Sequence, residues 1–131
     1  MLFHRGFLIL PVIFLLSACG KPKEISYASL VYESQGAEGF FKDPETGKGF
    51  TGLAKDHDKK GNLIAEFHFK NGKFDGVVKE WYASGQAKSE TTFKDGKRSG
   101  KNIEWKENGD VYNERVYDGD RIVSEKKPGA N

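Results

Sequence analysis

Two sets of side chains have the types that acid–base or metal chemistry uses. Asp56-His57-Asp58 sets an imidazole between carboxylates, with His68 further along, and Glu66, Glu90 and Glu114 recur at a constant interval of 24 residues. A zinc site needs three or four converging ligands. A single His with flanking carboxylates on a short polar segment falls short of that, and Asp58-Lys59-Lys60-Gly61-Asn62 reads as a turn. One Glu per strand pair puts neighbouring carboxylates about 10 Å apart, too far to share one glycosidic bond. Cross-strand pairing with Lys79, Lys88 or Lys101 is the expected role. No Ser/His/Asp order, phosphate loop or glycine-rich dinucleotide fingerprint accompanies them. The sequence therefore reads as non-enzymatic, with no catalytic residue, no metal ligand and no cofactor.

The remaining reactive group is Cys19, the only cysteine of the chain. A lone thiol excludes an internal disulfide and a cysteine-based zinc cluster. It follows a basic start at His4 and Arg5 and an apolar run from Phe7 to Leu16 interrupted by Pro11. That run is short for a permanent span, so residues 1–18 read as a cleaved leader in helical form. Leu16-Ser17-Ala18-Cys19, followed by Gly20, resembles the lipobox of bacterial lipoproteins. The resemblance implies cleavage before Cys19, a diacylglyceryl thioether on its sulfur and an acylated amine carrying a palmitate-like chain. Each buried methylene contributes about 0.8 kcal/mol, so two or three chains anchor stably where one does not. Gly20 in place of Asp resembles the outer-membrane sorting class, which places the protein on the outer membrane facing the periplasm in a cell with two membranes. Residues 19–26, with Pro22 and several polar side chains, read as a tether.

Composition narrows the partner. The 131 residues include 21 Lys and Arg against 19 Asp and Glu, and a balance this close to neutral supplies no field for a nucleic-acid backbone. Hydrophobic residues are 37% of the chain, and many lie in the leader. What is left suits a thin sheet better than a thick core.

The elements that must position these groups come from a repeat. Gly52, Gly76 and Gly100 are 24 residues apart, as are Gly61, Gly85 and Gly109, Glu66, Glu90 and Glu114, and Phe69, Phe93 and Tyr117. Trp81 and Trp105 keep the interval, and Gly72, Gly96 and Gly119 nearly do, the last one residue early. Units 52–75, 76–99 and 100–123 are thus one piece used three times, preceded by a degenerate copy over 27–51 carrying Tyr32, Gly36, Phe41 and Gly49 and followed by a tail over 124–131. Alternation through Val77, Lys79 and Trp81 against Val78, Glu80 and Tyr82 has strand period. Asn71-Gly72, Asp95-Gly96, Asp118-Gly119, Ser84-Gly85 and Asn108-Gly109 supply the turns. The expected fold is all-β, an elongated antiparallel meander of hairpins.

The cadence Gly-Val-Val-Lys-Glu-Trp-Tyr-Ala-Ser-Gly at 76–85, then Glu90, Phe-Lys-Asp-Gly-Lys at 93–97 and Gly100, resembles the bacterial variant of the MORN repeat. The resemblance spans about 48–123 and is strongest in the copy that starts at Gly76. The first copy departs with His57 and Asp58 in place of Trp81 and Tyr82, and the third with Lys106 in place of the second aromatic. Bacterial proteins similar to this class are often antitoxins or immunity-like factors, so the resemblance implies a binding role.

Most of Phe67, Phe69, Trp81, Tyr82, Phe93, Trp105 and Tyr117 are expected on a packed face. Rings left open beside arginine suit a protein partner, since Trp, Tyr and Arg dominate interface hot spots. The partner-binding candidates are Trp81, Tyr82, Trp105, Arg98 and Arg115. The expected protein is a module anchored in the cell envelope through Cys19 that binds an unidentified protein, with toxin neutralisation as its specific form. The alternative is a structural envelope factor on lipid headgroups or cell-wall polymer, with Lys55, Lys79 and Lys101 as a basic stripe.

Overall fold

Alternating side chains between glycine-bearing turns give each 24-residue unit two strands, and the turns repeat in detail. The computed structural model describes residues 20–35 and 38–127. The leader, Cys19, Gly36 and residues 128–131 lie outside the described residues. The elements are β1 (Glu24–Ser26), a 3-10 turn (Tyr27–Ser29), β2 (Val31–Gln35), β3 (Glu38–Lys42), β4 (Gly52–His57), β5 (Leu63–Lys70), β6 (Lys73–Phe74), β7 (Gly76–Trp81), β8 (Ala87–Lys94), β9 (Lys97–Trp105), β10 (Val111–Asp118) and β11 (Arg121–Lys126). Among the described residues no helix is long and apolar enough to cross a membrane.

The main sheet has nine strands in the order β1-β4-β5-β7-β8-β9-β10-β11, with β6 beside β5. From β4 onward every pairing is antiparallel, which is the expected meander. Gly61, Gly85 and Gly109 have φ of 87°, 84° and 89°. Each donates its amide to the carbonyl three residues back, at 3.0, 2.8 and 2.9 Å. Asn71-Gly72 and Asp95-Gly96 have positive φ at both positions, the geometry of a type I′ turn. In the last copy the positive φ falls on Gly119 and Asp120. Turn positions 71, 95 and 119 thus keep the interval of 24, with glycine moved to the first place, and the turn is Gly119-Asp120 and not Asp118-Gly119.

Three boundaries differ from the sequence expectation. Glu24–Ser26, read as the end of the tether, is a strand that runs parallel to β4, with Glu24 opposite Leu53 and Ser26 opposite Lys55. The open side of β4 needs backbone partners, and Ile25 reaches the core from there. Three residues are too few to show a period. The copy over 27–51 does not extend the meander either. Its β2 and β3 form a separate two-stranded sheet, stitched down by bonds from Phe41 N to Gly72 O, Phe50 N to Phe41 O and Gly72 N to Phe50 O. Finally, residues 124–126, read as tail, complete β11 against β10.

The fold-over of β2 and β3 creates the core. Phe50, Ala54 and Phe69 are its buried centre, with Ile25, Tyr27, Leu30, Phe41, Phe67 and Phe74 around them. Ring centroids lie 5.0 Å apart for Phe41–Phe69, 4.8 Å for Phe69–Phe74 and 4.4 Å for Tyr27–Phe67. Offset and tilted contacts of this kind add to the area they bury.

Gly52 is where the added strand docks. Its φ is 150°, and a Cβ there would stand 2.2 Å from the Lys23 carbonyl oxygen, the atom that accepts from Leu53 N at 2.8 Å. The clash is with backbone, which cannot swing aside. Gly52→Ala is expected to cost about 1–3 kcal/mol and to release β1 from the sheet. Hydrogen exchange at Leu53 checks it: protection unchanged from the parent would refute the assignment.

Candidate binding face

The sheet has two faces of unlike chemistry, and the repeat builds both. Along the outer face, register places Lys55 opposite Glu66, Glu66 opposite Lys79 and Lys79 opposite Glu90. The row then continues through Ile103 and Glu114 to Lys126. Lys55 lies 4.0 Å from Glu66 and 2.9 Å from Glu24, and Lys79 lies 4.0 Å from Glu90. Opposite charges facing each other across strands stabilise the pairing. The three repeated glutamates are therefore parts of a charge ladder, with Lys79 as the pairing residue. The lysine stripe drawn from sequence does not form: the position equivalent to Lys55 and Lys79 is Ile103, and both lysines face carboxylates.

The inner face changes character along the sheet. One row runs Asp56, Ala65, Glu80, Ser89, Glu104, Asn113. In the next, Ala54 faces Phe67, then Val78 faces Thr91, Thr91 faces Asn102 and Asn102 faces Arg115. Over β4 to β6 this face is apolar and capped by Tyr27 and Phe41. Beyond β7 the cap ends, and the face opens as a groove of about 530 Å³.

Tyr82, Arg98 and Arg115 line that groove, and Trp105 borders it between Glu104 and Lys106. By alternation along β9 the Trp105 ring falls on the face of Ile103, so Trp81 and Trp105 together border a smaller hollow of about 190 Å³ on the outer face, beside Lys79 and Glu90. The Tyr82 hydroxyl donates to the Trp105 carbonyl at 2.8 Å, fixing one rim. On the opposite side the Arg98 guanidinium sits 4.3 Å from the centre of the Tyr117 ring and bonds Asp120 at 2.9 Å. Arg115 Nε donates to Glu125 at 2.8 Å, with Glu104 3.4 Å from its other arm. Serine 89 donates to Glu80 at 2.6 Å.

Sequence reading missed Asn102, Asn113, Glu104 and Tyr112. Asn102 and Asn113 are 5% and 2% exposed, whereas Tyr112 is 59% exposed at the mouth of the groove. The 24-residue register contained the signal. Positions 54, 78 and 102 read Ala, Val, Asn, and positions 65, 89 and 113 read Ala, Ser, Asn.

The histidines and their neighbours serve the frame. His68 Nδ1 lies 2.7 Å from the Val77 carbonyl. Asp58 accepts from the amides of Lys60 and Asn62 at 2.8 and 2.9 Å, closing its turn. Among the described residues no group of three or more His, Cys, Asp or Glu is placed to hold a metal ion.

Carboxylates hold the turns and the third copy together. The Arg98 side chain, with its backbone amide, holds Asp120 below the usual carboxylate range, and Arg115, with Asn113, does the same for Glu125. Bonds from Asn62 lower Asp58, and the Asp95 amide lowers Asp75. A group whose pKa is lower folded than unfolded stabilises fully above the unfolded value, and that stability is lost as pH falls through the folded one. The urea midpoint is therefore expected to drop between about pH 5 and about pH 2. Asp120→Asn should flatten part of that drop; an identical slope would show that Asp120 carries none of it.

A thin β-sheet of repeated hairpins, one face laddered with charge and the other half capped and half open, is the architecture of a repeat module that works by surface contact. Residues 74–95 match the family described as the MORN repeat variant. The match takes in β7, its turn and β8, the unit whose register the other copies repeat. Such a repeat suggests a membrane- or protein-binding module. Comparisons with curated proteins and with solved structures gave no match.

Proposed function

We propose that this protein is a non-enzymatic binding module of the bacterial envelope, lipid-anchored through Cys19, that engages a protein partner on the open inner face of its second and third copies. One observation carries the reading: inner-face positions that form the core in the first copy lie uncovered in the later ones, where Tyr82, Arg98 and Arg115 converge. Aromatic rings and arginine at an open concave surface are the residues that concentrate binding energy. The anchor supports the placement. Cys19 precedes β1 by five residues, a leash of about 18 Å at full extension, so the partner is met close to the membrane. Neutralising a toxin in the periplasm is the specific form that the repeat resemblance suggests.

A photo-crosslinking residue in place of Tyr112, exposed at the mouth of the groove, in the lipidated full-length protein within its own envelope, tests this against one in place of Glu90 on the outer face. A discrete adduct from position 112 alone supports the inner face as the contact. Equal adducts from both, or none from either, count against it.

The envelope-polymer reading has one observation of its own, the polar floor of the groove. Its lipid form is disfavoured, because the outer face pairs its lysines with glutamates and leaves no basic stripe for anionic headgroups.

A further inference from the structure

The rim of the open groove repeats with its residues exchanged. Positions 58, 82 and 106 carry Asp, Tyr and Lys, and positions 64, 88 and 112 carry Ile, Lys and Tyr. The second copy thus supplies Tyr82 and Lys88, the third supplies Lys106 and Tyr112, and all four line the groove. A bulge aims two of them. Glu80 faces Ser89 and Trp81 faces Ala87, which leaves Lys88 as an extra residue on β8; Tyr112 is the same extra residue on β10, between Val111 and Asn113. Bulges re-aim the side chain they add, and Lys88 lines the inner groove, not the outer hollow that Ala87 and Glu90 border. Tyr82 follows Trp81 and Lys106 follows Trp105, so alternation brings both of them to the inner side.

The two lysines are unanswered. Both are exposed, and neither ammonium makes an ion pair or hydrogen bond among the described residues. The pairing of Ser89 with Glu104 sets them on adjacent strands just beyond that pair, and like charges side by side across strands work against the pairing. Beneath them the arginines are satisfied, Arg115 by Glu104 and Glu125 and Arg98 by Asp120. Glu80 is the remaining floor carboxylate and accepts from Ser89 Oγ at 2.6 Å. Two rim charges against that one leave the mouth positive. Strands β8, β9 and β10 are bonded on both sides, so an occupant cannot join the sheet as a further strand and is read through its side chains. A concave groove of about 530 Å³ receives a protruding segment better than the flat surface of a bilayer. Tyrosine at such a rim offers contact area, and charge of one sign selects its complement.

We infer that the groove receives an acidic segment of the protein partner, whose carboxylates meet Lys88 and Lys106 while its apolar side chains meet Tyr82 and Tyr112. The inference rests on the protein-binding reading above and names the chemistry of what is bound.

Fluorescence anisotropy of the full chain, purified in detergent, with a fluorescein-labelled peptide of sequence Glu-Glu-Leu-Phe-Glu-Glu tests it, a peptide with Gln for every Glu serving as the comparison. Saturable binding of the acidic peptide is expected, falling as salt rises, with the glutamine peptide about tenfold weaker. Lys88→Gln combined with Lys106→Gln should weaken the acidic peptide about tenfold and leave the urea midpoint equal or higher, since both positions are exposed. Lys59→Gln combined with Lys60→Gln, exposed on the first-copy turn, should leave binding unchanged. No saturable binding of the acidic peptide overturns the inference, as does equal binding of the glutamine peptide or an equal loss from the Lys59 and Lys60 variant. Displacement of the peptide by less glycerophosphoglycerol, the soluble headgroup of an anionic lipid, than unlabelled peptide overturns it in favour of lipid. If the peptide fails while position 112 still crosslinks a protein, the acidic assignment falls and the tethered binding module stands.

Discussion

Phe69→Ala is expected to remove about 3–5 kcal/mol of folding stability, a large share of the roughly 5–15 kcal/mol that a single domain has. Phe69 is 4% exposed, and its ring meets those of Phe41, Phe50 and Phe74 with centroids 5.0, 5.8 and 4.8 Å away. Truncation leaves a void walled by three other rings, of which Phe41 and Phe50 are held by the backbone bonds of the folded-over segment and Phe74 by its bond to Gly96, so the site cannot collapse to fill it. The same truncation one copy along should be milder. Phe93 is only half-buried and has one ring neighbour, Phe74, at 5.3 Å. Urea denaturation of the two variants side by side decides the matter: equal shifts would mean that the cap made by β2 and β3 contributes nothing to the core.

Cys19→Ser is expected to abolish the proposed lipid anchor altogether. The thioether requires a thiolate, and a serine hydroxyl stays protonated and is a far weaker nucleophile under the same conditions. With each methylene contributing about 0.8 kcal/mol, a single chain holds only marginally and two or three hold stably, so the change is from firm membrane association to release into the aqueous phase. Intact mass of the mature protein reads it directly. The parent should begin at Cys19 and carry the mass of a diacylglyceryl group and an acyl chain; the variant should carry neither. A parent that begins elsewhere, or begins at Cys19 unmodified, would remove the anchor from the proposal and leave the binding face as it is.

The two variants probe opposite ends of what the chain itself reveals. Strand period, turn class and the 24-residue interval are local properties, set by side-chain alternation and by the few residues that tolerate positive φ, so they are visible in the order of residues. The antiparallel meander and the pairing of Glu66 and Glu90 with Lys79 follow directly, because register in a hairpin is decided by its turn, whereas the place of Lys55 in the same ladder was not read. The parallel docking of Glu24–Ser26 and the fold-over of β2 and β3 were not visible. Each depends on which face of the sheet is left uncovered once all copies are paired, a long-range property with no local period. Phe50 shows the difference well: it lies 24 residues before Phe74 and belongs to no strand, yet it is 1% exposed at the centre of the core, whereas Phe74 is only partly buried.

The candidate site divides in the same way. Tyr82, Trp81, Trp105, Arg98 and Arg115 stood out by residue type, and the pairing of the sheet brings Tyr82, Arg98 and Arg115 to one groove while Trp81 and Trp105 fall on the other face. Asn102 and Asn113 have residue types that ordinarily mark turns and surfaces, and only tertiary structure buries them. By itself the order of residues determined the repeat and the strands, since these rest on neighbours in the chain. Tertiary structure alone decided which copy became the core and which stayed open. A single hairpin cap reaches over the first copy and ends before the third, and burial is a property of what lies above a face and not of the residues within it.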